Sequence, residues 1–268
     1  MNNIPEAPDP RRTEKLAAFD RLLTIMDQLR ENCPWDKKQT MKSLRHLTIE
    51  ETYELSDAIL EEDLTEIKGE LGDLILHIVF YSRIASESKQ FDIADVLNVI
   101  CEKLIHRHPH IYGDVKANDE ETVKQNWEKI KLKEKGNKSV LGGVPNSLPS
   151  LVKAMRIQEK AQGVGFDWEQ KEQVWEKVEE EMKEFHDELG HEKQDIKKVQ
   201  NEFGDLLFSL INYARFLEIN PEEALEKTNK KFIKRFKFLE KQASKNGQQL
   251  SEMTLAEMDV YWEQAKNL

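Results

Sequence analysis

Two parts of the chain repeat the same distinctive residues in the same order, and this repeat constrains the fold more than any other feature. Glu50-Glu51-Thr52-Tyr53-Glu54 is matched by Glu180-Glu181-Met182-Lys183-Glu184, and Glu70-Leu71-Gly72-Asp73 by Glu202-Phe203-Gly204-Asp205. Further along, Lys103, Arg107, Trp127 and Lys131 are matched by Lys231, Arg235, Trp262 and Lys266. Chance does not repeat four matches in one order, so we infer a duplicated module.

A segment rich in turn-forming residues lies between the two copies. From Lys135 to Pro149, glycine, asparagine, serine and proline cluster, and the helical spacing of apolar residues is lost. We therefore predict an N-terminal domain at 1–136, a linker at 137–148 and a C-terminal domain at 149–268.

Both modules are predicted to be all-α bundles. Glycine is scarce, and apolar residues recur three and four positions apart through most segments. Asn220 before Pro221, and Thr254 with Glu257, are typical helix starts. The predicted helices are 13–31, 48–61, 64–87, 93–108, 119–135, 149–162, 171–189, 193–217, 221–245 and 254–267.

The composition argues against several classes of protein. A net charge of −11 repels a nucleic-acid backbone, and the two cysteines, Cys33 and Cys101, are too few for a disulfide framework or thiolate metal cluster. No stretch approaches the roughly 20 apolar residues that span a bilayer, and Met1 to Pro10 contains no apolar segment typical of a signal peptide. We expect a cytoplasmic protein with no nucleic-acid or membrane partner.

The repeated acidic motifs can bring carboxylates together. At about 100° per residue, Glu180, Glu181 and Glu184 share one side of a helix, and Glu202 and Asp205 share one side of another. Gly204 is expected to let a facing helix approach closely. Crowded carboxylates must take up protons or bind a cation, and oxygen ligands favour Mg²⁺, Mn²⁺ or Ca²⁺ over Zn²⁺ or copper.

Other interpretations of the acidic residues are open. Acidic runs arise easily among 51 Asp and Glu residues and often form solvated helix faces, and Thr48 with Glu51 fits a helix capping box. A di-iron bundle requires two Glu-x-x-His motifs, whereas the chain offers one, from Glu188 to His191. One observation argues against a solvated face. The second acidic motif of each copy adjoins apolar residues, where burying an unpaired acid is unfavourable.

The basic and aromatic repeats add candidate ligand contacts. Lys231 and Arg235 share a helix face and can contact phosphate, while Trp262 beside Lys266 offers a surface for a base; an exposed or packing role is the alternative. Trp35 is interpreted as a core anchor. His106, His108 and His110 have no acid or cysteine at ligand spacing and are not interpreted as a metal site.

Taken together, these motifs resemble the MazG family of nucleoside triphosphate pyrophosphohydrolases, in its two-domain form. The resemblance spans nearly the whole chain. It rests on the paired acidic motifs of both copies and on three further segments, Cys33-Pro34-Trp35-Asp36, His108-Pro109-His110 and Gly163-Val164-Gly165-Phe166-Asp167-Trp168.

The resemblance implies four-helix modules assembling as a homodimer, and Mg²⁺-dependent hydrolysis of nucleoside triphosphates to monophosphate and pyrophosphate in nucleotide-pool house-cleaning. Mn²⁺ is a possible substitute. It implies that the C-terminal domain is the main catalytic one. Carried over by motif, the metal ligands are Glu181, Glu184, Glu202 and Asp205, with Glu180 also catalytic, and the nucleotide ligands are Lys177, Lys231, Arg235, Trp262 and Lys266.

The N-terminal copy keeps the matched residues, so its activity is an open question. This copy is predicted to hold the second metal site of the chain, at Glu51, Glu54, Glu70 and Asp73. Its predicted nucleotide contacts are Lys103, Arg107, Trp127 and Lys131. Two rival interpretations are an enzyme specialised for one non-canonical nucleotide or alarmone, and a non-catalytic helical scaffold.

Overall fold

The chain is described by a computed structural model covering residues 9–113, 115, 119, 122–123, 126–127, 130, 139–191 and 193–267. These residues form helices joined by turns and short 3-10 segments, with no strand among them. The predicted all-α class is confirmed. Within this part of the chain, no helix is both long enough and apolar enough to cross a membrane.

The helices are numbered here in chain order. They are α1 (Arg12–Asn32), α2 (Met41–Leu60), α3 (Leu64–Glu87), α4 (Ile93–Arg107), α5 (Pro109–Tyr112), α6 (Ser150–Gln162), α7 (Lys171–Leu189), α8 (Ile196–Phe216), α9 (Pro221–Lys245) and α10 (Leu255–Ala265). The predicted helix at 119–135 falls largely outside the described residues, although 122, 123, 126, 127 and 130 are helical.

The chain divides into two units, residues 1–131 and 132–268. In the N-terminal unit, α2 packs along α3, and α1 also lies against α3. Met26, Leu44, Val79 and Phe80 form the buried core. Partly buried apolar side chains pack around this core, at Phe19, Leu22, Leu23, Leu47, Leu76, Tyr81, Ile84 and Ile93.

Polar contacts fix the ends of these helices. Arg30 on α1 donates to both carboxylate oxygens of Glu87 on α3, at 2.7 and 2.9 Å, and also to the backbone oxygens of Asp36 and Gln39. One guanidinium therefore joins α1, α3 and the loop between α1 and α2.

In the C-terminal unit, α7 packs along α8, α6 also contacts α8, and α9 packs against α10. Val174 and Val178, one turn apart on α7, are almost fully buried. The Gln158 side chain of α6 donates to the Phe208 backbone oxygen of α8 at 2.8 Å. These contacts leave α7 and α8 side by side, which positions their acidic residues.

Two predicted helix starts are confirmed. The Asn220 side chain accepts hydrogen bonds from the backbone of Glu222 and Glu223, and Thr254 and Glu257 form a reciprocal capping box. Both motifs satisfy backbone N–H groups that have no partner inside the helix.

The predicted start of α2 at residue 48 is wrong. The helix begins at Met41, after a capping box between Thr40 and Ser43. Thr48 lies inside the helix, where its hydroxyl contacts the Leu44 backbone oxygen and, at 2.6 Å, the Tyr81 hydroxyl. A capping box between Thr48 and Glu51 is therefore excluded.

Two further expectations are wrong. A Cβ atom built on Gly204 would have no described atom within 4 Å, so no helix of the described chain approaches closely there. Trp35 is 55% exposed and is no core anchor, whereas the neighbouring Asp36 is buried. Spacing along the chain identified these residues as unusual without showing which neighbour they face.

Candidate metal and nucleotide site

Three carboxylates meet where α7 packs against α8. Glu181 and Glu184 on α7 and Glu202 on α8 each offer an oxygen within 4.8 Å of the others. Glu181 follows the buried Val174 and Val178 on the same helix face, and is itself only 7% exposed. We call these three residues the C-terminal cluster. Its position follows from the apolar packing between the two helices.

Lys177 supplies a positive charge to this cluster. Its Nζ lies 2.6 Å from a carboxylate oxygen of Glu181, four residues along α7, and 3.1 Å from one of Glu180, three residues along. These two carboxylates raise the pKa of Lys177, chiefly through the bond to Glu181. The exposed Glu180 is thereby tied to the edge of the cluster.

Neighbouring carboxylates oppose the ionisation of Glu202 despite the positive charge of Lys177. Loss of solvation raises its pKa, and the negative charges of Glu184, Asp205 and Glu181 raise it further. Asp205 is close enough to act on Glu202, although it is not among the three residues whose oxygens meet. Of the five predicted carboxylates, the structure therefore brings three together, with Asp205 and Glu180 beside them.

The N-terminal unit holds a matching group between α2 and α3. Glu51, Glu70 and Asp73 each offer an oxygen within 4.8 Å of the others, and we call them the N-terminal cluster. Glu54 lies beside them and interacts with Glu70 and Glu51. Three acids meet at the same helix pair in both units, which matches the sequence repeat, but the third member differs: it is Asp73 in one unit and Glu184, the counterpart of Glu54, in the other.

Carboxylates of the N-terminal cluster oppose one another's ionisation. The pKa values of Glu51, Glu54 and Glu70 are all raised, in each case first by loss of solvation and then by contacts with neighbouring carboxylates. One oxygen of Glu70, Oε2, is buried and has no hydrogen-bond partner. A buried polar atom without a partner is unfavourable unless a ligand or cation completes it.

A basic and aromatic group lies on α9 and α10. The Arg235 guanidinium is 6.0 Å from the centre of the Trp262 ring, and the Phe232 ring is 4.9 Å from it. Lys231 is exposed on α9, and Lys266 is ion-paired with Glu263. Arg235 and Trp262 therefore lie against each other on two neighbouring helices.

The N-terminal unit repeats this contact. The Arg107 guanidinium is 5.5 Å from the centre of the Trp127 ring. Both residues line an open, mainly apolar groove of about 430 Å³ together with Lys103. The fourth predicted residue of this set, Lys131, lies outside the described residues. An arginine on a tryptophan face thus occurs in both copies.

The histidines of residues 106–110 form no metal group in the described chain. His108 and His110 have ring centres 5.6 Å apart, and a ring nitrogen of His108 bonds the Leu104 backbone oxygen. Neither potential metal group among the described residues contains a histidine.

A family comparison accounts for both copies. The MazG nucleotide pyrophosphohydrolase domain matches residues 39–112 and again 169–239, which include α2–α3 and α7–α8 with their carboxylate clusters. The chain belongs to the MazG family. The two matches follow the internal repeat, so the predicted family and tandem arrangement are confirmed.

Several MazG relatives are similar along most of this chain. The nucleoside triphosphate pyrophosphohydrolase/pyrophosphatase MazG of Thermotoga maritima is 47% identical over 92% of this chain and 95% of that protein. The nucleoside triphosphate pyrophosphohydrolase of Escherichia coli K12 is 42% identical, covering 92% and 97%. The uncharacterized protein YabN of Bacillus subtilis is 44% identical over 99% of this chain but 56% of its own length.

Two features of this MazG chain were not predicted from its sequence. Lys177 was assigned by resemblance to the nucleotide, whereas here it is ion-paired with Glu181; its spacing of four residues is a signal that could have predicted the pair. Asp167, in the segment before α7, accepts hydrogen bonds from Arg215 near the end of α8. No local pattern links two residues so far apart in the sequence.

Proposed function

We propose that this chain hydrolyses nucleoside triphosphates to nucleoside monophosphate and pyrophosphate, and that the C-terminal cluster is its main catalytic site. The observation that carries the proposal is the meeting of Glu181, Glu184 and Glu202 on two packed helices in a MazG-family chain. Two full-length relatives named as nucleoside triphosphate pyrophosphohydrolases support the reaction class. House-cleaning of the nucleotide pool is the role that the family resemblance favours.

The donor set fits Mg²⁺, with Mn²⁺ as a substitute. Glu181, Glu184, Glu202 and Asp205 provide oxygen ligands alone. The pKa of Glu202 is raised first by loss of solvation and then by neighbouring carboxylates, whose negative charge a divalent cation would neutralise. When bound, Mg²⁺ neutralises phosphate charge and makes a bound water more acidic. The same fit applies to Glu51, Glu54, Glu70 and Asp73, where Glu70 Oε2 is buried without a partner.

The chain's own residues hold the substrate in this proposal. Lys231 and Arg235 contact the phosphates and take up negative charge on the leaving pyrophosphate, and Lys266 adds a further contact. Trp262 packs on the base. Lys177 turns from Glu181 to the triphosphate when the carboxylate gains a cation.

A carboxylate at the edge of the cluster orients the attacking water. The water oxygen forms a bond to phosphorus, the phosphoanhydride bond breaks, and pyrophosphate leaves with the released electron pair while the water proton passes to the carboxylate. Glu180 is a candidate because it is exposed and lies beside Glu181.

The N-terminal domain retains the same residue types, and we assign it a secondary role. Its cluster at Glu51, Glu70 and Asp73 and its Arg107–Trp127 contact support binding of the same ligand classes. We place the functional boundary within the predicted linker at 137–148, between the two family matches.

A homodimer is proposed from the apolar surface. Large apolar side chains are exposed on the helices that carry the site, among them Leu71, Ile75 and Ile78 on α3 and Phe203, Leu207 and Leu210 on α8. An apolar face on a soluble helix is favourable only when another surface covers it. A second copy of the chain supplies such a surface and would complete the bundles.

The test is product analysis. The purified chain is incubated with Mg²⁺ and each common nucleoside triphosphate, with EDTA as control, and phosphorus NMR resolves the products. We expect monophosphate and pyrophosphate, abolished by EDTA and by Glu181→Gln. Diphosphate with inorganic phosphate would refute the reaction. No turnover would refute a general activity and leave a specialised nucleotide or a scaffold, which metal-dependent melting would separate.

A further inference from the structure

A lysine contacts one of the two carboxylate clusters and has an apolar counterpart at the other. Matching Glu51 with Glu181 along the repeat places Leu47 at the position of Lys177, four residues earlier in each helix. Leu47 packs against the apolar core of its unit, whereas Lys177 reaches the carboxylates of Glu181 and Glu180. The acids of the two motifs are the same in both copies, and Lys177 adds a positive charge in direct contact with the acids of one copy only.

No described lysine or arginine forms an ion pair with the N-terminal cluster or with Glu54. The carboxylates there instead face one another: Glu51, Glu70 and Asp73 each have an oxygen within 4.8 Å of the others, and Glu70 Oε2 is buried without a hydrogen-bond partner. In the part of the chain that the structure describes, this cluster therefore has no counterpart of the Lys177 charge.

The C-terminal cluster already has an internal counter-ion. A divalent cation approaching Glu181 must displace the Lys177 ammonium or accept its repulsion at close range. A nucleoside triphosphate removes that obstacle, because its phosphates offer the ammonium another partner and bring negative charge of their own.

We infer that the N-terminal cluster binds a divalent cation in the absence of nucleotide, whereas the C-terminal cluster takes up its cation only together with the triphosphate. Leu47 and Lys177 set this difference. The inference rests on the proposed function for the identity of the C-terminal ligand, while cation binding to the N-terminal cluster stands apart from hydrolysis.

The test is a titration of the full chain with Mn²⁺, in which electron paramagnetic resonance reports the free ion. Without nucleotide, we expect one tight site per chain, lost in the double variant Glu51→Gln with Glu70→Gln and kept in Glu184→Gln with Glu202→Gln. Adding a non-hydrolysable triphosphate with a methylene between the α- and β-phosphorus atoms is expected to raise the number of tight sites to two.

Lys177→Met is the decisive variant. It is expected to create a second tight Mn²⁺ site without nucleotide, with affinity at that site raised roughly tenfold or more. Lys171→Met is the matched control, since it removes the same charge from the exposed first residue of α7 and should leave Mn²⁺ binding unchanged.

Several outcomes would overturn the inference. They are no tight site in the unmodified chain, two equal sites without nucleotide, loss of the tight site on changing the C-terminal cluster, or equal behaviour of Lys177→Met and Lys171→Met. Circular dichroism checks that each variant is folded. A chain that shows the expected Mn²⁺ binding but hydrolyses no nucleotide would refute the proposed function and leave this inference intact.

Discussion

Replacing Asp167 by asparagine is expected to loosen the pairing of α7 with α8. Asp167 accepts hydrogen bonds from two guanidinium nitrogens of Arg215, one of them at 2.9 Å, and each side chain is only 17% exposed. This contact holds the segment that leads into α7 against the end of α8. Losing this contact therefore weakens the packing between the two helices that carry the C-terminal cluster.

The expected loss of stability depends on the hydrogen bonds that Arg215 keeps after the substitution. Breaking a buried ion pair costs about 3–5 kcal/mol when the surviving charge has no partner. Arg215 keeps its bonds to the Asn212 side chain, at 3.1 and 2.9 Å, and asparagine can still accept one bond. We therefore expect a loss of about 2 kcal/mol in the free energy of unfolding, within the range for a charge-assisted hydrogen bond.

The N-terminal unit offers a matched control. Arg83, the repeat counterpart of Arg215, pairs with Asp27 at 2.6 Å, but Asp27 is 59% exposed and Arg83 also contacts Glu87. Exposed pairs contribute about 0–1 kcal/mol, so Asp27→Asn should change stability by less than half as much.

Differential scanning calorimetry of the full chain measures both variants. For a unit of this size, about 2 kcal/mol corresponds to a fall of about 6–10 °C in melting temperature, against about 3 °C or less for the control. Equal shifts in the two variants, or no shift in Asp167→Asn, would refute the argument that burial decides the contribution. A double-mutant cycle with Arg215→Met isolates the pair itself.

Three further predictions concern the cluster and the core. Glu184→Gln should lower turnover by roughly 100-fold or more, as loss of a transition-state contact does, while the exposed Glu176→Gln on the same helix should retain activity; steady-state kinetics compares them. Leu44→Ala removes a fully buried side chain and should cost about 3–5 kcal/mol in urea unfolding, whereas Leu64→Ala, 79% exposed, should cost less than about 0.5 kcal/mol. Glu70→Gln should stabilise the EDTA-treated chain at pH 7, because the raised pKa of Glu70 means that ionising it disfavours the folded state. That gain should shrink as the pH falls and disappear below the ordinary pKa of 4.5, where the natural residue is protonated in both states; a constant gain would contradict the assignment.

Local patterns were sufficient for the class, the repeat and most helix boundaries. The spacing of apolar residues predicts α3 and α9 within a residue or two. In an amphipathic helix, the residues of the buried face recur in the sequence with a period of 3.6. The caps at Asn220 and Thr254 were predictable for a related reason, since they act within one turn. The start of α2 was missed because the Thr40–Ser43 box has serine where the common box has an acid or amide.

The acids that meet between α7 and α8 are among those singled out in the sequence, but the sequence did not show which of them have oxygens that meet. Helical geometry places Glu181 and Glu184 on one face, yet which acid of α8 meets them depends on how the two helices pack, for example through the Phe185 and Phe203 rings at 5.5 Å. The same packing leaves Asp205 outside the meeting point of the oxygens. Register between two helices is set by contacts distant in sequence, which no local pattern contains.

The sequence by itself therefore determined the fold class and the internal repeat. It indicates an all-α duplicated chain with two sets of acids, bases and tryptophans in matching order. Periodicity and repetition carry that information because they are properties of neighbouring residues. Only the tertiary structure decided that the Lys177–Glu181 pair belongs to a cluster completed by Glu202, while Leu47 joins the apolar core of the other unit. The reason is physical, since the charge state of a carboxylate depends on every group within a few ångströms, wherever those groups lie along the chain.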